Sequence, residues 1–265
     1  MSRVLITGCS SGFGRAAATE LTKRGHDVVA TARRCETLDD LDVAARLALD
    51  VDDTASVRAA VGAAGPLDAL VNNAGFGIVG PVESVSLDDA RRCMDTNLFG
   101  AARLIQAVLP GLRARGGGTI VNVSSIAGRV GAPLSGYYSA TKWALEGLSE
   151  SLHFEVGHFG IRVRIVEPGG FETAFDANAV RTAVDGSPYA ELERQWEAAQ
   201  PLLTSDGPAP DPALVARVIA DAVESTEPRL RWLVGADAEL AIGAKDSMSF
   251  EDFETNMRSL LGVTW

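Results

Sequence analysis

Val4-Leu5-Ile6-Thr7-Gly8-Cys9-Ser10-Ser11-Gly12-Phe13-Gly14 sets a short apolar run directly before a glycine-rich turn, and a helical pattern follows from Arg15 to Arg24. An apolar run, a glycine turn and a helix in that order read as the opening of a dinucleotide-binding unit. Backbone N–H groups and the positive end of the helix then face a pyrophosphate, and glycine is required where the chain turns tightly or comes against the ligand. The spacing is G-x-x-x-G-x-G, which differs from the commoner G-x-G-x-x-G.

Working outward, Asp27 to Thr31 is a second strand, ending in Ala32-Arg33-Arg34. About 20 residues beyond the glycines an NAD site places a carboxylate on the adenosine ribose, whereas a 2′-phosphate calls for arginine. Arginines here favour NADP(H) over NAD(H); the competing reading is that Arg33 and Arg34 are ordinary surface residues. Arg46 to Leu49 is a third strand closing with Asp50-Val51, and Thr54 to Ala64 a short helix. Asp50 either accepts from an adenine amino group or caps that helix. Leu67 to Val71 is the fourth strand, running into Asn72-Asn73-Ala74-Gly75-Phe76-Gly77, a composition suited to close backbone approach or to a plain turn. Ser86 starts a long helix to about Leu109, and Asn97 in its middle suggests a bend or a bound water.

Gly118 to Val123 is the fifth strand, with Ser124-Ser125 at its carboxyl end, the edge where open α/β sheets hold ligands. Ile161 to Val166 is the sixth, ended by Glu167-Pro168-Gly169-Gly170. Residues 174–210 are interrupted by prolines around a helix from Tyr189 to Ala199. That composition suits a lid offering Phe175, Tyr189, Trp196, Leu202 and Leu203 to an apolar substrate, or else a plain connector. Asp211-Pro212 opens a helix to Glu224, Leu230 to Val234 is the last strand, and the tail to Trp265 holds one or two short helices. No repeat or linker divides residues 1–265, so a single domain is expected.

The chemistry is read from Tyr137-Tyr138-Ser139-Ala140-Thr141-Lys142. In a helix beginning near Tyr137, positions four apart lie about 40° apart around the axis, so the Tyr138 phenol and the Lys142 ammonium share a face. Lowering a tyrosine pKa from about 10 to about 7 requires roughly 4 kcal/mol of preference for the phenolate. A unit charge about 5 Å away at an effective dielectric of about 20 supplies about 3 kcal/mol. One lysine nearly suffices, and an oxidised nicotinamide nearby would supply the rest. Tyr137 lies about 140° from Lys142 and should point elsewhere. The rival reading of this pair is a solvated helix face.

Composition bounds the partners. A formal charge of −11, from 24 basic and 35 acidic residues, disfavours a nucleic-acid or anionic-membrane surface. No segment reaches the roughly 18 uninterrupted apolar residues of a membrane span, and the chain enters its first strand without a signal-type apolar region. A cytoplasmic protein is expected. Cys9, Cys35 and Cys93 are widely spaced with no CxxC, which argues for small buried thiols rather than a disulfide framework or a metal site.

Taken in order, Thr7-Gly8-x-x-x-Gly12-x-Gly14, Asn72-Asn73-Ala74-Gly75, Asn97, Ser125, Tyr138-x-x-x-Lys142 and Pro168-Gly169-x-x-x-Thr173 resemble the short-chain dehydrogenase/reductase family. The resemblance implies an α/β Rossmann fold: a doubly wound, seven-stranded parallel sheet of order 3-2-1-4-5-6-7, with helices on both faces and a nicotinamide cofactor across its edge. It implies that Tyr138 protonates a carbonyl oxygen during reduction or takes the proton in reverse, and that Lys142 lowers its pKa and holds the nicotinamide ribose. It further implies that Ser125 bonds the substrate oxygen and that Asn97 orders a water beside Lys142. The choice of Ser125 over Ser124 comes from the family's interval to the tyrosine. Gly8, Ser11, Gly12, Phe13, Gly14, Asp50, Val51, Asn73, Ala74, Gly75, Pro168, Gly169 and Thr173 map onto its cofactor contacts, with Tyr138 and Lys142, and Arg33 onto the basic position of NADP-using members. The wording of the glycine loop and of the second strand's end is most similar to the 17β-hydroxysteroid and retinol dehydrogenase branch, which implies a bulky apolar alcohol or ketone as the small-molecule substrate. Relatives commonly form homodimers or homotetramers through the two long helices. Two rivals remain: a cofactor-binding regulator, which would be expected to lack the Tyr or Lys, and a nucleotide-sugar epimerase or dehydratase, which usually carries a larger C-terminal substrate domain.

Overall fold

Apolar runs too short for helices become strands, and the helices between them return the chain so that the strands lie parallel. In the computed structural model, which describes residues 1–171, 174–183, 186–203 and 211–265, the chain runs β1 (Arg3–Ile6), α1 (Gly12–Lys23), β2 (Asp27–Ala32), β3 (Ala45–Ala48), α2 (Thr54–Ala64), β4 (Ala69–Asn72), β5 (Ile78–Val79), α3 (Leu87–Met94), α4 (Ala101–Ala114), β6 (Gly118–Val123) and α5 (Gly136–Val156). It continues through β7 (Ile161–Pro168), α6 (Ala174–Ala177), β8 (Val180–Arg181), α7 (Ala190–Leu203), α8 (Ala213–Glu224), β9 (Arg231–Val234), α9 (Ala236–Ser247) and α10 (Phe250–Leu261).

Seven strands form one parallel sheet in the order β3-β2-β1-β4-β6-β7-β9, which is 3-2-1-4-5-6-7 when the sheet's own strands are counted. Strand order reverses between β1 and β4, and the crevice for a ligand lies outside the carboxyl ends there. Helices α1 and α8 cover one face through Ala17, Leu21, Val215 and Ile219. Leu104, Val108, Leu152 and Val156 of α4 and α5 cover the other. Both faces are therefore buried, which is why β1 and β4 read as continuous apolar runs rather than as alternating ones.

Two features differ from the sequence reading. The long helix on either side of Asn97 passes through a π-helical stretch, Asp95–Gly100, so the expected bend is a change of helical register. A second, two-stranded parallel sheet joins β5 to β8 in the register Ile78↔Val180. Its strands are two residues long, too short to carry any period, so only the tertiary pairing defines them. Cys9 and Cys93 are buried as expected, whereas Cys35 is half-buried. No helix among the described residues is long and apolar enough to cross a membrane.

Candidate active site

The glycine loop is built against the end of β4. The Asn73 side-chain amide donates to the Thr7 carbonyl at 2.9 Å and to the Gly8 carbonyl at 3.2 Å, while the Thr7 hydroxyl accepts from the backbone N–H of Asn73 and of Ala74. Gly8 has φ +74° and Gly12 φ +57°, conformations that L side chains resist. A side chain at Gly14 would collide with Asn73 and the Gly8 carbonyl, so this glycine is required by packing within the protein. Ser11, the residue before α1, makes no side-chain cap, so its hydroxyl does not take up the first N–H groups of that helix. The Phe13 ring packs edge-on against Phe171, 5.6 Å between centroids, docking the loop after β7.

Arg33 and Arg34 follow β2, and Asp50 and Val51 lie between β3 and α2. Arg33 and Arg34 lie exposed just past β2 and make no ion pair among the described residues. Asp50 turns its carboxylate back to accept from the N–H of Asp52 at 3.1 Å, and Asp53, not Asp50, caps α2 by accepting from Ala55. Val51 is buried against Gly100 of the π stretch and lines a narrow cavity with Thr7, Asn72, Ala74, Asn97 and Lys142.

Lys142 forms part of that cavity's wall. It is 6% exposed, and its ammonium donates to the Val123 carbonyl at 2.9 Å. An ammonium has three N–H donors, so two remain for other partners. Burial pushes its pKa down to about 8, against the pull of Cys93 and Glu146 in the opposite direction. A polar ladder holds the helix beneath it: Asn72 donates to Asn122 at 2.9 Å across β4 and β6, and Asn122 donates to Ser149 on α5 at 2.8 Å. Sequence reasoning missed this ladder, because alternating polar residues in strands are legible only once the register is known.

Tyr138 is half-buried, and the Lys142 ammonium lies 5.9 Å from its ring centroid, so the two side chains do share a side of α5. Phe175 packs on the Tyr138 ring at 5.5 Å. Tyr137 turns away into a cluster with Ile78, Val85 and Cys93. The fold separates the two serines: Ser124 is 4% exposed and faces Gly128 and Glu146, while Ser125 is half-buried and precedes a 3₁₀ turn, Ile126–Gly128. Ser125 Oγ accepts from the N–H of Ala127 at 3.1 Å, which leaves its proton free to donate. Asn97 brackets Phe76, its amide donating to the Phe76 carbonyl at 2.9 Å and its carbonyl accepting the Phe76 N–H at 3.0 Å. The same amide reaches Thr141 at 3.1 Å, one residue before Lys142.

Pro168 and Gly169 end β7, where the Gly169 N–H donates to the Val234 carbonyl at 2.9 Å and the Gly170 N–H to Asp237 at 2.6 Å. Asp237 fits against Gly169 so closely that no side chain fits there. Thr173 lies outside the described residues.

Residues 2–183 match the short chain dehydrogenase family. The chain belongs to that family. Its members are oxidoreductases that use a nicotinamide cofactor on small-molecule substrates. Over 179 residues the chain is 43% identical to a 3-ketodihydrosphingosine reductase of Bacteroides thetaiotaomicron, covering 66% of each chain. Over 249 residues it is 38% identical to human retinol dehydrogenase 8, covering 86% of this chain and 79% of that one. A short-chain dehydrogenase from Streptomyces avermitilis superposes with a TM-score of 0.83 at 38% identity, covering 98% of this chain and 99% of that one.

In this short-chain dehydrogenase the residues expected of a lid or a plain connector are distributed unevenly. Phe175 stands over Tyr138, but Trp196 on α7 packs with Ala199, Leu261 and Val263. Tyr189 donates to Glu83 at 2.6 Å and lies against Trp265. Both of those rings are half-buried, and Leu202 is 59% exposed. Asp237 is the residue sequence reasoning overlooked; an acid in a helix's first turn was its one local signal, and its glycine partners come from 67 residues away.

Proposed function

We propose that this dehydrogenase is an NADP(H)-dependent carbonyl reductase or alcohol dehydrogenase in which Tyr138 is the general acid and base. The observation that carries the reading is the buried Lys142 ammonium, 5.9 Å from the Tyr138 ring centroid, on the helix beside the Ser125 strand end. When bound, a nicotinamide supplies the hydride to the carbonyl carbon in reduction. Tyr138 gives its hydroxyl proton to the carbonyl oxygen as that oxygen gains charge, and Ser125 donates a hydrogen bond to the same oxygen. The Lys142 cation stabilises the tyrosinate that remains, and its free donors suit the nicotinamide ribose. The uncapped start of α1, with Ser11, Gly12, Phe13 and Gly14, suits the pyrophosphate.

Arg33, exposed just past β2 and in no ion pair among the described residues, supports the NADP(H) choice. Arg33→Ala is expected to weaken NADPH binding about tenfold and leave NADH binding unchanged, since a charge-assisted phosphate contact contributes about 1.5 kcal/mol. Equal losses for both cofactors, titrated by tryptophan fluorescence, would overturn this assignment.

A bulky apolar substrate is supported by Phe175 over Tyr138 and by the lipid-like substrates in the names of two relatives. Exposed Phe99, Trp143 and Phe154 on the long helices support a homodimer or homotetramer. The deciding experiment follows NADPH absorbance with acetophenone, cyclohexanone and decanal as probes. Net consumption is expected; an epimerase would recycle its cofactor, and a regulator would bind NADPH without turnover.

A further inference from the structure

Beside the Ser125 turn lies a cluster of buried charge that the proposed reaction leaves unused. The Glu167 side chain is 0% exposed and that of Glu146 6%. Arg231 on β9 reaches both acids, with Nη2 3.1 Å from Glu146 Oε2 and Nε 3.3 Å from Glu167 Oε1. Arg129 places Nη1 3.5 Å from Glu167 Oε1 and Nη2 2.8 Å from Asp246 Oδ2. Glu150 also pairs with Arg231, and Lys245 donates to the Arg129 carbonyl.

Compensation is incomplete. Both Glu167 oxygens and Glu146 Oε1 lack a well-aligned hydrogen bond among the described residues, and burial raises the Glu146 carboxyl above its ordinary value and the Glu167 carboxyl to about 7. Burying an ion costs several kcal/mol, and well-packed apolar residues often match or exceed such pairs in stability. A stabilising role alone is therefore a poor account of the cluster. Its connections give a better one.

Glu146 sits one turn beyond Lys142 on α5, and Glu167 immediately precedes Pro168-Gly169. Arg129 follows the turn that begins at Ser125. At Gly128 that turn meets α5 so closely that a Cβ would lie 2.8 Å from Ser124 Oγ and 3.2 Å from Glu146 Oε1. The turn is thus seated on Glu146 at Gly128 and tied to Glu167 through Arg129.

We infer that Glu146 and Glu167, clasped by Arg129 and Arg231, are positioning residues that set the Ser125 hydroxyl and the Lys142 ammonium relative to Tyr138. The inference rests on the roles proposed above for those three residues. Its test uses Glu146→Gln and Glu167→Gln, which keep shape and remove charge, with NADPH and decanal as the probe pair. Turnover is divided by the number of NADPH sites titrated through tryptophan fluorescence, so that misfolded molecules drop out. Turnover per site should fall about tenfold in each variant, the scale of a sub-ångström misplacement. Gly128→Ala, which displaces the turn with every charge intact, should do the same, and Arg231→Lys should retain more turnover per site than Arg231→Met. Wild-type turnover per site in the glutamine variants, with only the number of sites reduced, would overturn the positioning role. If Tyr138→Phe run alongside is inactive, that failure belongs to Glu146 and Glu167 alone; if Tyr138→Phe turns over normally, the proposed mechanism itself has failed.

Discussion

Replacing Tyr138 with phenylalanine should lower turnover about a thousandfold, within the range removed with a general acid, and leave NADPH affinity largely intact. The substitution is clean because the ring's packing on Phe175 survives and only the hydroxyl is lost. Thr141 bonds the Tyr138 backbone carbonyl, at 2.7 Å, and that contact also survives. Residual rate would come from Ser125 and from orientation of the substrate. Steady-state turnover with decanal, beside a fluorescence titration of NADPH, separates chemistry from binding. A phenylalanine variant with wild-type turnover would remove the proposed mechanism.

Lys142→Ala should damage both properties at once. Losing a cation about 5 Å from the phenolate withdraws about 3 kcal/mol, or roughly a hundredfold in rate, and NADPH affinity should fall as well because the same ammonium serves the ribose. An alanine variant with undiminished NADPH affinity would limit Lys142 to the proton transfer. Lys142→Met, which fills the space, isolates the electrostatics in the free protein. Burial lowers this lysine from 10.5 to about 8, so between those values the unfolded chain holds more protons at this site than the folded one. Stability therefore gains from Lys142 as pH rises across that window. The buried thiols act oppositely above 9.0, where Cys9 and Cys93 ionise only in the unfolded chain. Denaturant midpoints should thus be compared between pH 8 and 9, where wild type should gain stability relative to Lys142→Met. A constant difference across that interval would mean that the folded lysine keeps its ordinary pKa.

Legibility in the sequence followed the range of the contacts involved. Strand, glycine turn and helix at residues 4–24 were readable because each is set by neighbours in the chain, and the seven-stranded order followed once the motifs identified a family. The shared side of Tyr138 and Lys142 was readable for the same reason, being a consequence of helical spacing. Residues 174–210 read either as a lid offering Trp196 and Tyr189 to an apolar substrate or as a plain connector, and only the structure shows that both rings pack against the C-terminal elements, since an apolar side chain carries no mark of which surface it will cover.

By itself the sequence determined the succession of elements, the glycine loop and the tyrosine–lysine helix, all products of local geometry. Only the tertiary structure decided that Ser124 is buried against Gly128 while Ser125 opens a 3₁₀ turn, that Asp53 rather than Asp50 caps α2, and that Asn72, Asn122 and Ser149 brace the helix under Lys142. It alone revealed Asp237 against Gly169 and the Glu146–Glu167 clasp. Most of these depend on strand register or on partners dozens of residues apart, and pairing at that distance leaves no period or spacing in the chain to be read.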